Sequence, residues 1–161
     1  MIYLFIIIVT YILAMLTVVD KKIIFTNWTL ESLLLVSFFI IYVGGLRFNV
    51  GSDWASYVEI YKGSNLGESA DGVEPGYLLL NKFFNYLNIP YSIFVLFIFT
   101  LSYTLKIVSF QRYSSNVFVA LIVYIPIQFM VYDINAVRQG LAVGITLTTI
   151  PFILERKLFP F

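Results

Sequence analysis

Residues 2–19 read IYLFIIIVTYILAMLTVV, eighteen positions without a charge. As a helix this run covers about 27 Å, close to the ~30 Å hydrocarbon thickness of a bilayer. No basic residue precedes it and no small-residue cleavage site follows it, so it reads as an anchor and not as a signal peptide. The remainder of the chain agrees. Of 161 residues, 60% are hydrophobic and 12% charged, with mean hydropathy +0.91, whereas soluble domains average about 45–50% apolar and about 25% charged. This excludes a soluble globular fold and leaves no room for a large soluble catalytic domain. At roughly 20 apolar residues per span, the chain holds about five. The expected fold class is all-α: one polytopic membrane domain over 1–161.

Working outward from the first run, Asp20, Lys21 and Lys22 end it, and a second run covers 30–46 and closes at Arg47. Further spans fit 91–110, 116–132 and 138–154, with Pro126 and Pro151 expected to kink the last two. Lys106, near the end of the third, is expected to snorkel to the interface. Between the second and third spans lies the one sizeable loop, 48–90, which carries five of the nine glycines and five acids. It holds two short helical patterns. In one, Trp54, Tyr57, Val58 and Tyr61 recur at helical spacing between Ser52 or Asp53 as cap and Gly63 as stop. In the other, Leu80, Phe83, Phe84 and Leu87 are expected to face the membrane while Asn81, Lys82, Asn85 and Asn88 face water. Lys21, Lys22, Lys106, Arg112, Arg156 and Lys157 fall on one side of the expected bilayer, which the positive-inside rule makes cytoplasmic. The N-terminus, the 48–90 loop and the 133–138 turn are then external, at the outer face of the cytoplasmic membrane.

Histidine and cysteine are both absent from the sequence. Imidazole bases, His-ligated metals, thiolate nucleophiles and disulfides are therefore excluded. A formal net charge of +1 gives no basis for nucleic-acid binding. Chemistry must rest on Arg, Lys, Asp, Glu, Tyr, amides and backbone.

Arg47, after Gly44 and Gly45 and before Asn49, Gly51 and Asp53, either captures an anion bidentately or anchors a helix end to headgroups. Asp133, Asn135, Arg138 and Gln139 crowd a short turn, where an internal Asp133–Arg138 pair is one reading and a functional cluster the other. Gly140 and Gly144 follow at the spacing of close helix packing. Trp54, Tyr57, Tyr61 and Tyr77 are suited to stacking on sugar rings, or to an aromatic belt. Asp53 or Glu74 could act as a general base, or could be solvated loop carboxylates, with Glu74 favouring the dipole of the helix that follows.

Three ordered blocks resemble the EpsG family of exopolysaccharide polymerases, related in role to the Wzy O-antigen polymerases. Gly45, Leu46, Arg47, Asn49, Gly51, Asp53 and Tyr57 are similar to the first, with Trp54 where Tyr is also common. Glu74, Gly76, Tyr77, Leu80 and Asn81 are similar to the second, and Asn135, Arg138, Gln139, Leu141 and Ala142 to the third. The resemblance implies glycosyl transfer between oligosaccharide repeat units carried on polyprenyl pyrophosphate in the outer leaflet, without a metal or cofactor. It implies Arg47 and Arg138 at the pyrophosphate, and Asp53 or Glu74 activating an acceptor hydroxyl. Trp54, Tyr57, Glu74, Tyr77, Asn135 and Gln139 would contact the substrate, and other polysaccharide assembly proteins would be partners. Members of that family are longer and carry a histidine-containing segment after the third block, so this chain is expected to be an N-terminal portion. Two alternatives of other classes are a small transporter or flippase-like subunit for an anionic lipid-linked substrate, and a non-catalytic membrane fragment. A transporter would place its ionisable groups near the bilayer midplane.

Overall fold

A computed structural model describes residues 2–19, 27–63 and 72–154. The described residues are helical, with no strand: α1 (Ile2–Val19), α2 (Asn27–Gly45), α3 (Trp54–Gly63), α4 (Pro75–Tyr86), α5 (Tyr91–Tyr113), α6 (Val117–Tyr124) continuing as a π-helix over Ile125–Asp133, and α7 (Val137–Leu154). Among them, Ile2–Val19, Trp28–Gly45 and Tyr91–Tyr113 are long and apolar enough to cross a membrane, and Val117–Asp133 is a shorter apolar helix. Lys21, Lys22, Arg156 and Lys157, on which the orientation partly relies, lie outside the described residues, as do Glu68 and Asp71.

α5 is the central helix, packed against α7 and α2, while α6 packs against α1. The main core joins Ile6 and Ala14 of α1, Val36 and Ile40 of α2, Phe99 and Tyr103 of α5, and Phe118, Leu121, Tyr124 and Phe129 of the α6–π segment. Asn116 links two of these elements: its side-chain Oδ1 accepts from the Phe118 and Val119 amides at the start of α6, and its Nδ2 donates to Thr17 Oγ1 of α1 at 2.8 Å. The outward faces of α1 and α2 leave Leu4, Phe5, Ile8, Ile12, Leu34, Leu35 and Phe38 exposed. Seven large apolar side chains on adjoining helices would be untenable in water and are at home in lipid.

Two expectations are corrected, and the distortion expected at Pro126 takes a specific form. Lys106 does not snorkel: it is fully buried and ion-paired with Asp133, because a partner inside the bundle removes the need to reach the interface. It therefore leaves the set of cytoplasmic anchors. The apolar residues of α4 do not share one face: Phe83 and Leu87 are exposed while Phe84 is buried beside Tyr77 and Asn81, whose Nδ2 donates to the Tyr77 carbonyl at 2.7 Å. Leu79, Phe83 and Tyr86, at helical spacing, form the outer apolar face instead. At Pro126, which lacks an amide hydrogen, the α-helix gives way to π geometry.

The expected packing role of the glycines is observed. A Cβ on Gly144 would stand 3.0 Å from the Ser102 carbonyl, and one on Gly44 would overlap the Phe99 ring. α3 and α4 pack over the starts of α5 and α7 through a second cluster of Tyr57, Tyr61, Tyr77, Phe84, Phe94, Ile98, Val137 and Leu141. Tyr61 donates to the Ile89 carbonyl and Asn85 to the Tyr61 carbonyl, both at 2.6 Å, tying the two short helices together.

Candidate functional site

The three sequence blocks, far apart in the chain, meet where α3 and α4 pack over the start of α7. Arg47 follows α2 by two residues and is 6% exposed. Its Nη1 donates to the carbonyls of Gly44 at 3.0 Å and Asp133 at 2.8 Å, while its Nε is buried without a hydrogen-bond partner. Burial pulls its pKa below the ordinary arginine value, opposed by neighbouring Tyr91 and Asp133. Both Nη1 acceptors are main-chain oxygens, which hold the guanidinium in place without neutralising it.

Gly51 lets the first block approach the third. Its φ of +105° suits glycine, and a Cβ there would stand 2.7 Å from the Ile134 carbonyl. The next amide, Ser52, donates to Asn135 Oδ1 at 3.1 Å, and Asn135 Nδ2 donates to the Met130 carbonyl at 2.8 Å. Asn135 thus clamps the loop after α2 to the end of the π-helix. Ser52 Oγ donates to Asp53 Oδ1 at 2.9 Å, and Asp53 is otherwise presented outward at the start of α3.

Arg138, in the first turn of α7, joins the second block. Its Nη1 donates to Glu74 Oε2 at 2.7 Å and to the Gly72 carbonyl at 3.3 Å, and its guanidinium stands 5.6 Å from the Tyr57 ring centre. Both partners of the ion pair are partly open to solvent, 27% for Arg138 and 63% for Glu74. Tyr57 meets Tyr77 edge to face at 6.0 Å, and Tyr77 meets Phe94 at 5.9 Å. Burial pushes the Tyr77 phenol well above its ordinary value. Trp54 packs edge to face on Tyr91 at 5.1 Å and on Phe48 at 6.0 Å. Gln139 is exposed on α7.

All nine candidates from the sequence lie on the segments that converge here, although neither Asp53 nor Gln139 has a described side-chain contact beyond its own segment. The expected Asp133–Arg138 pair is not formed. Asp133 faces the bundle interior, where Oδ1 accepts from Lys106 Nζ and from Ser102 Oγ at 3.2 Å, and Oδ2 accepts from the Tyr124 hydroxyl at 2.6 Å. Arg138, one helical turn later, faces Glu74. Lys106, Ser102 and Tyr124 were not among the candidates; the signal for them is a lysine within an apolar run, which demands a buried carboxylate somewhere in the fold. Asn81 is also missed, fully buried with its Oδ1 unpartnered. Among the described residues, no group of three or more acidic side chains could hold a metal ion.

A family model described as the EpsG family matches residues 32–161, a stretch that contains all three blocks. No curated protein and no solved structure matches the chain.

Proposed function

The chain belongs to the EpsG family, and from that premise we propose that it takes part in joining lipid-linked oligosaccharide repeat units at the outer face of the cytoplasmic membrane. The observation that carries this reading is the buried Arg47: its main-chain partners fix it but leave its charge, and its Nε is idle. A guanidinium in that condition is a ready site for a pyrophosphate, which brings both negative charge and acceptors in bidentate geometry. Arg138, more open and at the same end of the bundle, supplies a second cation. Its present partner Glu74 is exposed and can be displaced by phosphate.

In this reading the leaving polyprenyl pyrophosphate of one repeat unit is held by Arg47 and Arg138 while an acceptor sugar hydroxyl attacks the anomeric carbon. The glycosidic bond forms as the bond to the pyrophosphate oxygen breaks, and the hydroxyl proton passes to a carboxylate. Asp53 is the better placed base, because Glu74 already accepts from Arg138 while Asp53 accepts from the neutral Ser52 hydroxyl. Tyr57, Tyr77 and Trp54 provide aromatic surface for sugar rings, Asn135 and Gln139 amides for their hydroxyls, and the exposed apolar face of α4 contact with lipid. With five spans and an external N-terminus, as the sequence leads one to expect, this end of the bundle lies at the outer leaflet. Ile2–Val19, Trp28–Gly45 and Tyr91–Tyr113 are three of the five, and Val117–Asp133 and α7 are proposed as the others. The transporter alternative is less well supported: the ionisable pair deepest in the bundle, Lys106–Asp133, is sealed and mutually neutralised, and so does not line a path.

The test is Arg47→Ala and Arg138→Ala at the chromosomal locus. Both should abolish polymer and leave single repeat units on lipid. Unchanged polymer length in both variants, at normal protein abundance, would exclude the reading.

A further inference from the structure

Asp133 offers two kinds of oxygen in opposite directions. Its carboxylate is taken by Lys106, Ser102 and Tyr124, and its main-chain carbonyl by Arg47. Arg47 therefore already touches a residue whose carboxylate could pair with it, and that carboxylate is committed instead to Lys106, Ser102 and Tyr124. Besides Asp133 and Ser102, the Lys106 ammonium stands 5.6 Å from the centre of the Tyr124 ring, so its described polar contacts all belong to the group around Asp133. It is fully buried on α5, it reaches Asp133 across 27 residues of chain, and it is fixed by Ser102 Oγ one turn before it at 2.9 Å. A buried cation there would be costly unless it neutralised a buried anion.

We propose that Lys106 is a positioning residue that holds the Asp133 carboxylate away from Arg47, so that Arg47 meets only main-chain oxygens and keeps its charge for an incoming pyrophosphate. This rests on the assignment of Arg47 to an anion. Ser102 and Tyr124 share the role, since each holds an Asp133 oxygen on the interior side. Gly140 leaves the space in which the carboxylate sits; a Cβ there would overlap Asp133 Oδ1. Removing the Lys106 ammonium frees a buried carboxylate whose best remaining partner is Arg47, and the guanidinium is then lost to an internal ion pair.

The proposal makes a rescue prediction that a merely structural lysine does not. The probe is inorganic pyrophosphate, read as its stabilising shift of the melting temperature of the purified, detergent-solubilised protein, with polymer length in cells as a second reading. Lys106→Met should weaken pyrophosphate binding about ten- to hundredfold, the range for losing one charge-assisted hydrogen bond. Lys106→Met combined with Asp133→Asn should restore most of it, because the amide keeps the shape of the carboxylate and has no charge with which to capture Arg47. Arg47→Ala separates the two levels. If Arg47→Ala retains the pyrophosphate shift, the anion assignment falls and the Lys106 proposal falls with it. If Arg47→Ala loses the shift while Lys106→Met keeps it, the Lys106 proposal alone is overturned. A double variant that folds, as judged by its own melting transition, and binds no better than Lys106→Met overturns it as well. If Lys106→Met fails to accumulate, Lys106→Gln and its Asp133→Asn combination carry the same comparison.

Discussion

Gly140→Ala sets two physical effects of opposite sign against each other. In a helix, alanine is favoured over glycine by about 1 kcal/mol, so propensity alone predicts a more stable protein. The structure predicts the reverse. A Cβ at this position overlaps Asp133 Oδ1 and stands 3.2 Å from both Asp133 Cα and Cγ. The carboxylate has nowhere to retreat, since Oδ1 holds Lys106 and Ser102 and Oδ2 holds Tyr124. Two responses are open. The turn shifts outward, an overpacking cost of about 1–3 kcal/mol, or the carboxylate is expelled and the buried pair opens, at about 3–5 kcal/mol. After the propensity gain, the first response leaves a loss of up to about 2 kcal/mol and the second a loss of about 2–4 kcal/mol. Thermal unfolding of the detergent-solubilised protein reads the sign directly. Gly76→Ala is the control, because a Cβ at Gly76 meets nothing within 4 Å, so there only propensity acts. Gly140→Ala should melt below the parent protein and Gly76→Ala at or above it. A Gly140→Ala variant as stable as Gly76→Ala would refute the placement of Asp133 against α7.

Two further outcomes are expected. Because burial raises the Tyr77 phenol, the folded state holds that proton more tightly than the unfolded chain does; its contribution is complete below the ordinary phenol value of about 10 and is lost as pH rises beyond it. Proteolysis of the 48–90 segment should therefore accelerate above about pH 10, and Tyr77→Phe should blunt that acceleration; an identical pH profile in the variant would show that Tyr77 is not buried under the cover. The chain has no cysteine, so single cysteines report topology cleanly. Ser52→Cys should react with a membrane-impermeant maleimide in intact cells and Ser115→Cys only after lysis, and the opposite pattern would invert the orientation.

What was legible in the sequence was what local composition decides. An uncharged run such as 2–19 has one stable setting, and its helix has those bounds. The convergence of the polar blocks was also signalled, because a turn as short as 133–138 does not need so many hydrogen-bonding groups for itself. The rest depends on pairing across the chain. Lys106 and Asp133 are separated by 27 residues and meet only because the α6–π segment runs back along α5. Read locally, a lysine near a helix end snorkels and an aspartate five residues before an arginine pairs with it, and both readings fail for the same reason: each residue had a better partner inside. Polarity alone sets Asn81 on the wet face of α4; in the structure it is buried with its Nδ2 donating to the Tyr77 carbonyl of the preceding turn, while Leu79 and Phe83 face outward.

The proposed chemistry joins sugar to sugar and frees a polyprenyl pyrophosphate each time, so the most direct measurement counts both. With the protein reconstituted in liposomes containing the host's lipid-linked repeat unit, one polyprenyl pyrophosphate should be released per new glycosidic linkage, and both should vanish in Arg47→Ala and Arg138→Ala. Linkage formation that persists undiminished in those two variants would contradict the assignment of Arg47 and Arg138 to the place where repeat units are joined.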